Sequence, residues 1–84
     1  MKKLIEFYYS NTCPNCHAVR KKIMEMIKEN ITLKEINIED ESGRIRAEKQ
    51  GIWSVPAIVV NGEIVMEGEV DEKLIEDILR GDND

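Results

Sequence analysis

The chain has 84 residues, of which 42% are hydrophobic and 35% are charged, a composition typical of one folded domain over residues 1–84. The formal net charge of −5 argues against a nucleic-acid-binding role. No run of about 18 apolar residues occurs, so no segment is predicted to span a membrane. Charged residues interrupt the N-terminal stretch too early for a signal peptide, so we expect a cytoplasmic protein, and we expect it to be a monomer.

Hydrophobic patterning predicts seven secondary-structure elements in the order β-α-β-α-β-β-α. The predicted strands cover residues 4–9, 31–38, 57–60 and 63–67, and the predicted helices cover residues 14–30, 42–50 and a stretch that begins after Asp71. Connection through a helix favours parallel pairing of the first two strands, whereas Asn61-Gly62 predicts a type I′ turn between the last two. The sequence therefore predicts an α/β fold, a mixed four-stranded sheet with helices on both faces.

Apolar spacing within three of these elements predicts which side chains face the core. The inward positions of the first helix are Ala18, Val19, Ile23, Met26 and Ile27. In the last strand, Ile64 and Met66 alternate with Val65. In the last helix, which Asp71 can cap, the inward positions are Leu74, Ile75, Ile78 and Leu79.

The only two cysteines, Cys13 and Cys16, lie where the first strand is followed by the first helix. Side chains three apart on a helical turn are about 5–6 Å apart, so the thiols can bridge with little movement. Unpaired N–H groups and positive potential at a helix N-terminus stabilise a thiolate, which is the nucleophilic form. Closing so short a loop adds little stability, so redox chemistry accounts for the pair better than architecture does. We expect Cys13 to be the exposed nucleophile and Cys16 to be the buried resolving thiol.

The cysteine pair also fits three alternative classes of protein. His17 completes a Cys-x-x-Cys-His string, which is the attachment motif of c-type haem. Two thiolates from each of two chains could instead hold a metal ion across a dimer. The thiols could also be inert parts of a scaffold. Haem content, bound metal, catalysed disulfide reduction and thiol titration distinguish these classes.

The cysteine motif, the order of the elements and the Ser54-Val55-Pro56-Ala57 stretch before an Asn-Gly hairpin resemble the thioredoxin and glutaredoxin superfamily. Over essentially its whole length the chain is most similar to the short, glutaredoxin-sized thioredoxins of archaea. The resemblance implies the thioredoxin fold and a dithiol–disulfide oxidoreductase that cycles a Cys13–Cys16 disulfide. It also implies that the peptide bond before Pro56 is cis, that Pro56 packs beside the cysteines, and that Val55 offers its backbone to an extended substrate.

The residues that we expect to contact substrates are Pro14, Trp53, Val55, Pro56 and Gly68. Trp53 is the only tryptophan, and an aromatic side chain at the edge of a site is a common anchor. The resemblance also implies that the loop beginning at Gly68 lies beside the active-site helix. Residues 61–84 carry nine acidic and two basic groups. Negative charge beside the site would disfavour acidic partners, although a solvated helix face accounts for the same composition.

The chain departs from the family pattern at several positions. Phe7 stands six residues before the first cysteine, where typical thioredoxins carry a buried aspartate, and strand alternation points Glu6 to the other face. Residues 8–12 lack the lysine that glutaredoxins usually carry, and residues 68–71 match their Gly-Gly-x-x-Asp stretch only in part. The sequence therefore favours a thioredoxin-like protein disulfide reductase, with a glutathione-linked glutaredoxin as the alternative.

No metal, nucleotide or flavin signature is present, so no cofactor is expected. The predicted partners are disulfide-containing proteins as substrates and a separate reductase or small thiol as electron donor. Because cytosolic pools keep thiols reduced, we expect the protein to work as a reductant.

Overall fold

The computed structural model describes residues 3–80 and contains the predicted order of elements. They are β1 (Lys3–Tyr9), α1 (Pro14–Met26), β2 (Ile31–Asn37), α2 (Glu41–Gln50), β3 (Ala57–Val60), β4 (Glu63–Glu67) and α3 (Glu72–Arg80). Residues 1–2 and 81–84 lie outside the described residues. The first pair belongs to the stretch considered as a signal peptide, and the last four belong to the acidic stretch 61–84. No helix within 3–80 is long and apolar enough to cross a membrane.

The four strands form one mixed sheet in the order β2-β1-β3-β4. β1 pairs in parallel with β2, which places Phe7 opposite Glu35, and pairs antiparallel with β3, which places Phe7 opposite Ile58. β3 and β4 form the predicted antiparallel hairpin. Its turn residues, Asn61 and Gly62, have φ values of 49° and 90°, and positive φ at both positions is what a type I′ turn requires. The predicted parallel pairing and hairpin are therefore confirmed.

Strand alternation divides the core between the two faces of the sheet. On one face, α1 and α3 cover the inward side chains of β1. The buried residues of this cluster are Ile5, Phe7, Cys16, Val19, Ile23, Ile31, Ile58, Met66, Ile75 and Leu79. On the other face, α2 covers a smaller cluster of Tyr8, Ala47, Ile52, Ala57 and Val59. Helices therefore lie on both faces, as predicted, and each large buried side chain contributes about 1.5–3 kcal/mol.

The prediction for α1 was wrong in two details. The helix ends at Met26 rather than Asn30, because Ile27 has extended backbone with ψ of 142°. The residues that follow form a turn into β2, in which the Ile31 N–H donates to the Lys28 carbonyl at 3.1 Å. Ala18 is exposed, whereas Val19 and Ile23 are buried and Met26 and Ile27 pack partly buried against the same cluster, as predicted.

The simple alternation of side chains predicted for β4 was also wrong at one position. Ile58 pairs with Met66, but the next residue, Val59, pairs with Ile64, so Val65 is an extra residue in the strand. Such a bulge turns the side chains on either side of it out of simple alternation. Met66 is therefore buried whereas Ile64 is 39% exposed.

The inward face predicted for α3 is confirmed. Ile75 and Leu79 are buried, and Leu74 and Ile78 pack partly buried against the same cluster as Cys16. The Asp71 carboxylate accepts the Leu74 N–H at 3.1 Å, which is the predicted cap of the helix N-terminus.

Candidate active site

The two cysteines are joined in a disulfide at the N-terminus of α1, with their Cα atoms 5.3 Å apart. Cys13 is the N-cap residue of α1, and its Sγ accepts a hydrogen bond from the Cys16 N–H at 3.1 Å. Pro14 follows as the first helical residue, where its missing N–H costs no hydrogen bond. The Cys13 sulfur thus lies among the unpaired N–H groups of a helix start, which is where negative charge is stabilised.

The two sulfur-bearing residues differ in exposure. Cys13 is partly exposed at the surface, whereas Cys16 is 2% exposed and belongs to the core cluster under α1 and α3. Phe7, at the position where an aspartate is typical of the family, is buried in that same cluster. Of the two sulfurs, only that of Cys13 is therefore open to a substrate in solution.

Polar residues of the β2–α2 connection hold the loop that precedes Cys13. The Asn11 N–H donates to the Glu39 carboxylate at 2.7 Å, and the Asn37 side-chain amide donates to Asn11 Oδ1 at 3.0 Å. None of these three residues was among the predicted site residues. The available signal was topological, because the carboxyl ends of neighbouring parallel strands meet at one edge of a sheet.

The segment before β3 approaches the same region from the other side of β1. The Val55–Pro56 peptide bond is cis, which confirms the expectation from the resemblance. Pro56 is fully buried, and Val55 and Cys13 both pack against the cluster that contains Cys16. Trp53 is 84% exposed, so core packing does not account for this tryptophan.

The end of β4 is tied to this segment by hydrogen bonds. The Glu67 carboxylate accepts the Trp53 N–H at 2.6 Å and the Ser54 N–H at 3.2 Å. The Gly68 N–H donates to the Pro56 carbonyl at 2.8 Å. Gly68 was among the predicted site residues, whereas Glu67 was expected only to add negative charge at the rim of the site, with no binding role.

A groove of about 390 Å³ runs behind the disulfide, between α1 and the β1–β2 edge. It is lined by Phe7, Tyr9, Ser10, Cys16, His17, Arg20 and Glu35. Arg20 Nε donates to the Glu35 carboxylate at 2.5 Å, and this hydrogen bond raises the pKa of Arg20. The groove therefore places the Arg20–Glu35 ion pair in the same lining as the buried Cys16.

Glu6 lies on the opposite face of the sheet, as predicted, and takes no part in this site. Its carboxylate accepts hydrogen bonds from the Tyr8 hydroxyl, at 2.7 Å, and from Arg46. Burial alone would raise the pKa of Glu6, but the hydrogen bonds from Arg46 and Tyr8 outweigh it, so the pKa is lowered. Burial and the hydrogen bond to Glu6 raise the pKa of Tyr8 to about 12.

The fold and the site together define a thioredoxin-type class of protein, in which a disulfide opens the first helix of a mixed sheet. A family model described as a thioredoxin domain matches residues 3–80. The chain belongs to the thioredoxin family. Among residues 3–80, no group of three or more His, Cys, Asp and Glu side chains is placed to hold a metal ion.

Relatives from archaea and a plant structure agree with this assignment. The chain is 32% identical to the thioredoxin of Methanocaldococcus jannaschii over 83 residues, which cover 94% of this chain and 95% of that protein. It is 30% identical over 78 residues to a probable thioredoxin of Archaeoglobus fulgidus, covering 92% and 86% of the two chains. The oxidised structure of thioredoxin O2 from Arabidopsis thaliana superposes with a TM-score of 0.82. That match covers 99% of this chain and 76% of the plant chain at 14% identity, and it shows the fold alone.

The protein is a thioredoxin-like dithiol–disulfide oxidoreductase of the short archaeal type, with a Cys13–Cys16 disulfide. Thioredoxin-like proteins of this kind act on disulfide substrates and work with a reductase.

Proposed function

We propose that this oxidoreductase reduces disulfides in other proteins, with Cys13 as the attacking thiolate and Cys16 as the resolving thiol. The observation that carries the assignment is the unequal environment of the two sulfurs. Cys13 Sγ caps α1, accepts the Cys16 N–H and is partly exposed, whereas Cys16 is buried. A partly exposed sulfur at a helix N-terminus is the one that can ionise and reach a substrate.

The reaction takes two thiol–disulfide exchanges. The Cys13 thiolate attacks one sulfur of the substrate disulfide, the substrate S–S bond breaks, and the departing substrate thiolate takes up a proton. Cys16 then loses its proton and attacks Cys13 Sγ, which breaks the mixed disulfide and releases the second substrate thiolate. Two electrons have passed to the substrate, and the Cys13–Cys16 disulfide remains. Two electrons from a separate reductase or a small thiol restore the dithiol.

The surface beside Cys13 supports an extended protein chain as the substrate. We propose that Pro14, Trp53, Val55, Pro56 and Gly68 contact it, with the exposed Trp53 ring as an apolar anchor. We further propose that residues 1–84 act as one monomeric domain in the cytoplasm, where a reducing thiol pool favours the direction of substrate reduction. A midpoint potential of the cysteine couple near that of other thioredoxins, about −270 mV, would agree with this direction.

Substitution of each cysteine tests the division of labour. Cys13→Ser should lower the rate of insulin-disulfide reduction roughly a hundredfold or more, because the attacking sulfur is gone. Cys16→Ser should instead accumulate a mixed disulfide with the substrate, visible as a mass increase that dithiothreitol removes. Catalytic reduction by Cys16→Ser at the wild-type rate would contradict the two-thiol mechanism. Trapping by Cys13→Ser rather than by Cys16→Ser would show that the two roles are reversed.

A further inference from the structure

Glu67 makes contacts that an ordinary surface carboxylate does not make. It ends β4 half-buried, and a single oxygen, Oε2, accepts both the Trp53 N–H at 2.6 Å and the Ser54 N–H at 3.2 Å. The partners are 14 and 13 residues away along the chain, so the contact joins two segments that no local turn connects. Hydrogen bonds from N–H groups to an ionised oxygen are about twice as strong as those between neutral groups.

Gly68, the next residue, makes a second contact between the end of β4 and the segment before β3. Gly68 donates its N–H to the Pro56 carbonyl at 2.8 Å, and its φ of 80° lies in the region that favours glycine. A Cβ at Gly68 would lie 3.0 Å from Ser54 Cβ, so only a residue without a side chain fits without displacing Ser54. Glu67 and Gly68 together hold the backbone of residues 53–56 at both ends.

The segment held in this way carries the residues that we propose for substrate contact. Trp53 exposes 84% of its surface, so its position cannot come from packing in the core. An exposed ring that must be ordered on binding loses affinity through the entropy of ordering, whereas a ring already fixed in place does not. The Glu67 carboxylate therefore lies where it can set how well this segment is ordered before a substrate arrives.

We propose that Glu67 is a positioning residue that fixes the Trp53–Ser54 backbone and thereby sets the affinity of the enzyme for protein disulfides. This inference rests on the proposed function, because it assumes that residues 53–56 contact the substrate. Glu67 has no part in the exchange chemistry at the sulfurs. Its loss should therefore change the reaction with large substrates and leave the reaction with small disulfides unchanged.

The test compares Glu67→Ala and Glu67→Gln with Glu63→Ala, a control that removes the same charge from an exposed position at the other end of β4. Glu67→Ala should raise KM for insulin about tenfold with little change in kcat, since two charge-assisted hydrogen bonds are lost. The kcat/KM for 5,5′-dithiobis(2-nitrobenzoate), a small anionic disulfide, should stay within about twofold of wild type at high salt, where the lost Glu67 charge is screened. Glu67→Gln keeps an oxygen acceptor, so its KM for insulin should lie between those of wild type and Glu67→Ala. Glu63→Ala should have the wild-type KM.

A second measurement does not depend on activity. Trp53 is the only tryptophan, so the decay of tryptophan fluorescence anisotropy reports on this segment alone. Nanosecond motion of Trp53 should increase in Glu67→Ala, increase less in Glu67→Gln and stay unchanged in Glu63→Ala. Unchanged Trp53 motion in Glu67→Ala would overturn the positioning role. Equal losses with insulin and the small disulfide would also overturn it, because they indicate general destabilisation. If the wild-type protein reduces neither substrate, the proposed function fails, and the anisotropy still tests the contact itself.

Discussion

At the scale of single residues, the contacts of buried Glu6 with buried Tyr8 and exposed Arg46 show how a strand tolerates a carboxylate in its interior. Glu6 is 5% exposed, yet both of its oxygens accept hydrogen bonds, from the Tyr8 hydroxyl and from Arg46. An unpaired buried charge would cost several kcal/mol, whereas a paired one is tolerated. The group anchors α2 to the sheet through Arg46, on the face opposite the disulfide.

The raised pKa of Tyr8 makes this group sensitive to alkaline pH. In the folded state burial, and then the Glu6 carboxylate, raise the Tyr8 pKa from 10.0 to about 12. A raised pKa adds stability that is fully present below pH 10 and is lost as the pH rises towards 12. The free energy of unfolding should therefore fall by about 2 to 3 kcal/mol over that window because of Tyr8 alone.

Absorbance titration of tyrosinate checks this prediction. Tyr8→Phe should remove the late, high-pH component of the titration, and the difference in stability between wild type and Tyr8→Phe should shrink as the pH rises. Glu6→Gln should move the Tyr8 titration to lower pH, because an amide no longer opposes the tyrosinate charge. A Tyr8 titration that is unchanged in Glu6→Gln would show that burial alone raises the pKa and that the Glu6 carboxylate does not contribute.

At the scale of secondary-structure elements, α2 contains a glycine where helix propensity alone would favour alanine. Gly43 is buried in the first turns of α2, and a Cβ there would lie 2.0 Å from the Asn37 carbonyl oxygen. Real Cβ atoms do not approach backbone oxygen so closely, so the helix or the end of β2 would have to move. The missing side chain at Gly43 thus lets α2 pack directly onto the β2 terminus.

The Gly43→Ala substitution compares the gain in helix propensity with the cost of a clash against the Asn37 carbonyl oxygen. Alanine is favoured over glycine in a helix by about 1 kcal/mol, but forced backbone shifts typically cost about 1–3 kcal/mol. We expect a net loss of up to about 2 kcal/mol in the free energy of unfolding, measured by urea denaturation. Ser42→Ala, at the exposed neighbouring position, is the control and should be neutral or slightly stabilising. A more stable Gly43→Ala protein would show that the contact with Asn37 is unimportant.

At the scale of the whole molecule, some of the acidic residues between positions 61 and 80 make ion pairs or hydrogen bonds within the domain. Glu76 pairs with Lys22 at 2.8 Å and with Arg80 at 3.3 Å, and Asp71 caps α3. Glu67 binds the Trp53 segment. Exposed carboxylates in the stretch that follows Gly68, where negative charge is expected to repel acidic partners, include Glu69 and Asp71.

Neutralising these two groups tests the influence of charge on partner choice. Glu69→Gln with Asp71→Asn, which keeps an oxygen to cap α3, should speed reaction with oxidised glutathione about two- to threefold at low salt. The rate should converge with wild type at high salt, because screening acts over about 8 Å at physiological ionic strength. Glu25→Gln with Glu29→Gln changes the net charge equally, near the far end of α1, and should have no such effect. No acceleration at low salt would leave the acidic residues as a solvated surface.

Most of the fold follows from local patterns in the sequence. The order of elements, the bounds of β3 and β4, the Asn61-Gly62 turn and the inward face of α3 were all predicted, because alternation, helical spacing and turn chemistry act over a few residues. The same holds for the cysteines, since a proline after the first of them marks a helix start. The end of α1 and the bulge at Val65 were missed, because helical spacing and strand alternation mark neither the extended backbone of Ile27 nor the extra residue in β4.

The sequence by itself therefore determined the class of fold and the dithiol, since a single helical turn contains both sulfurs. Only the tertiary structure decided which carboxylates bind the backbone of the segments next to the cysteines and before β3. Glu39 and Glu67 bind the backbone N–H groups of Asn11, Trp53 and Ser54 across separations of 28, 14 and 13 residues. Every residue except proline has a backbone N–H, so the residue type does not show which N–H a distant carboxylate binds. Such contacts become visible only when the sheet brings the ends of distant strands together.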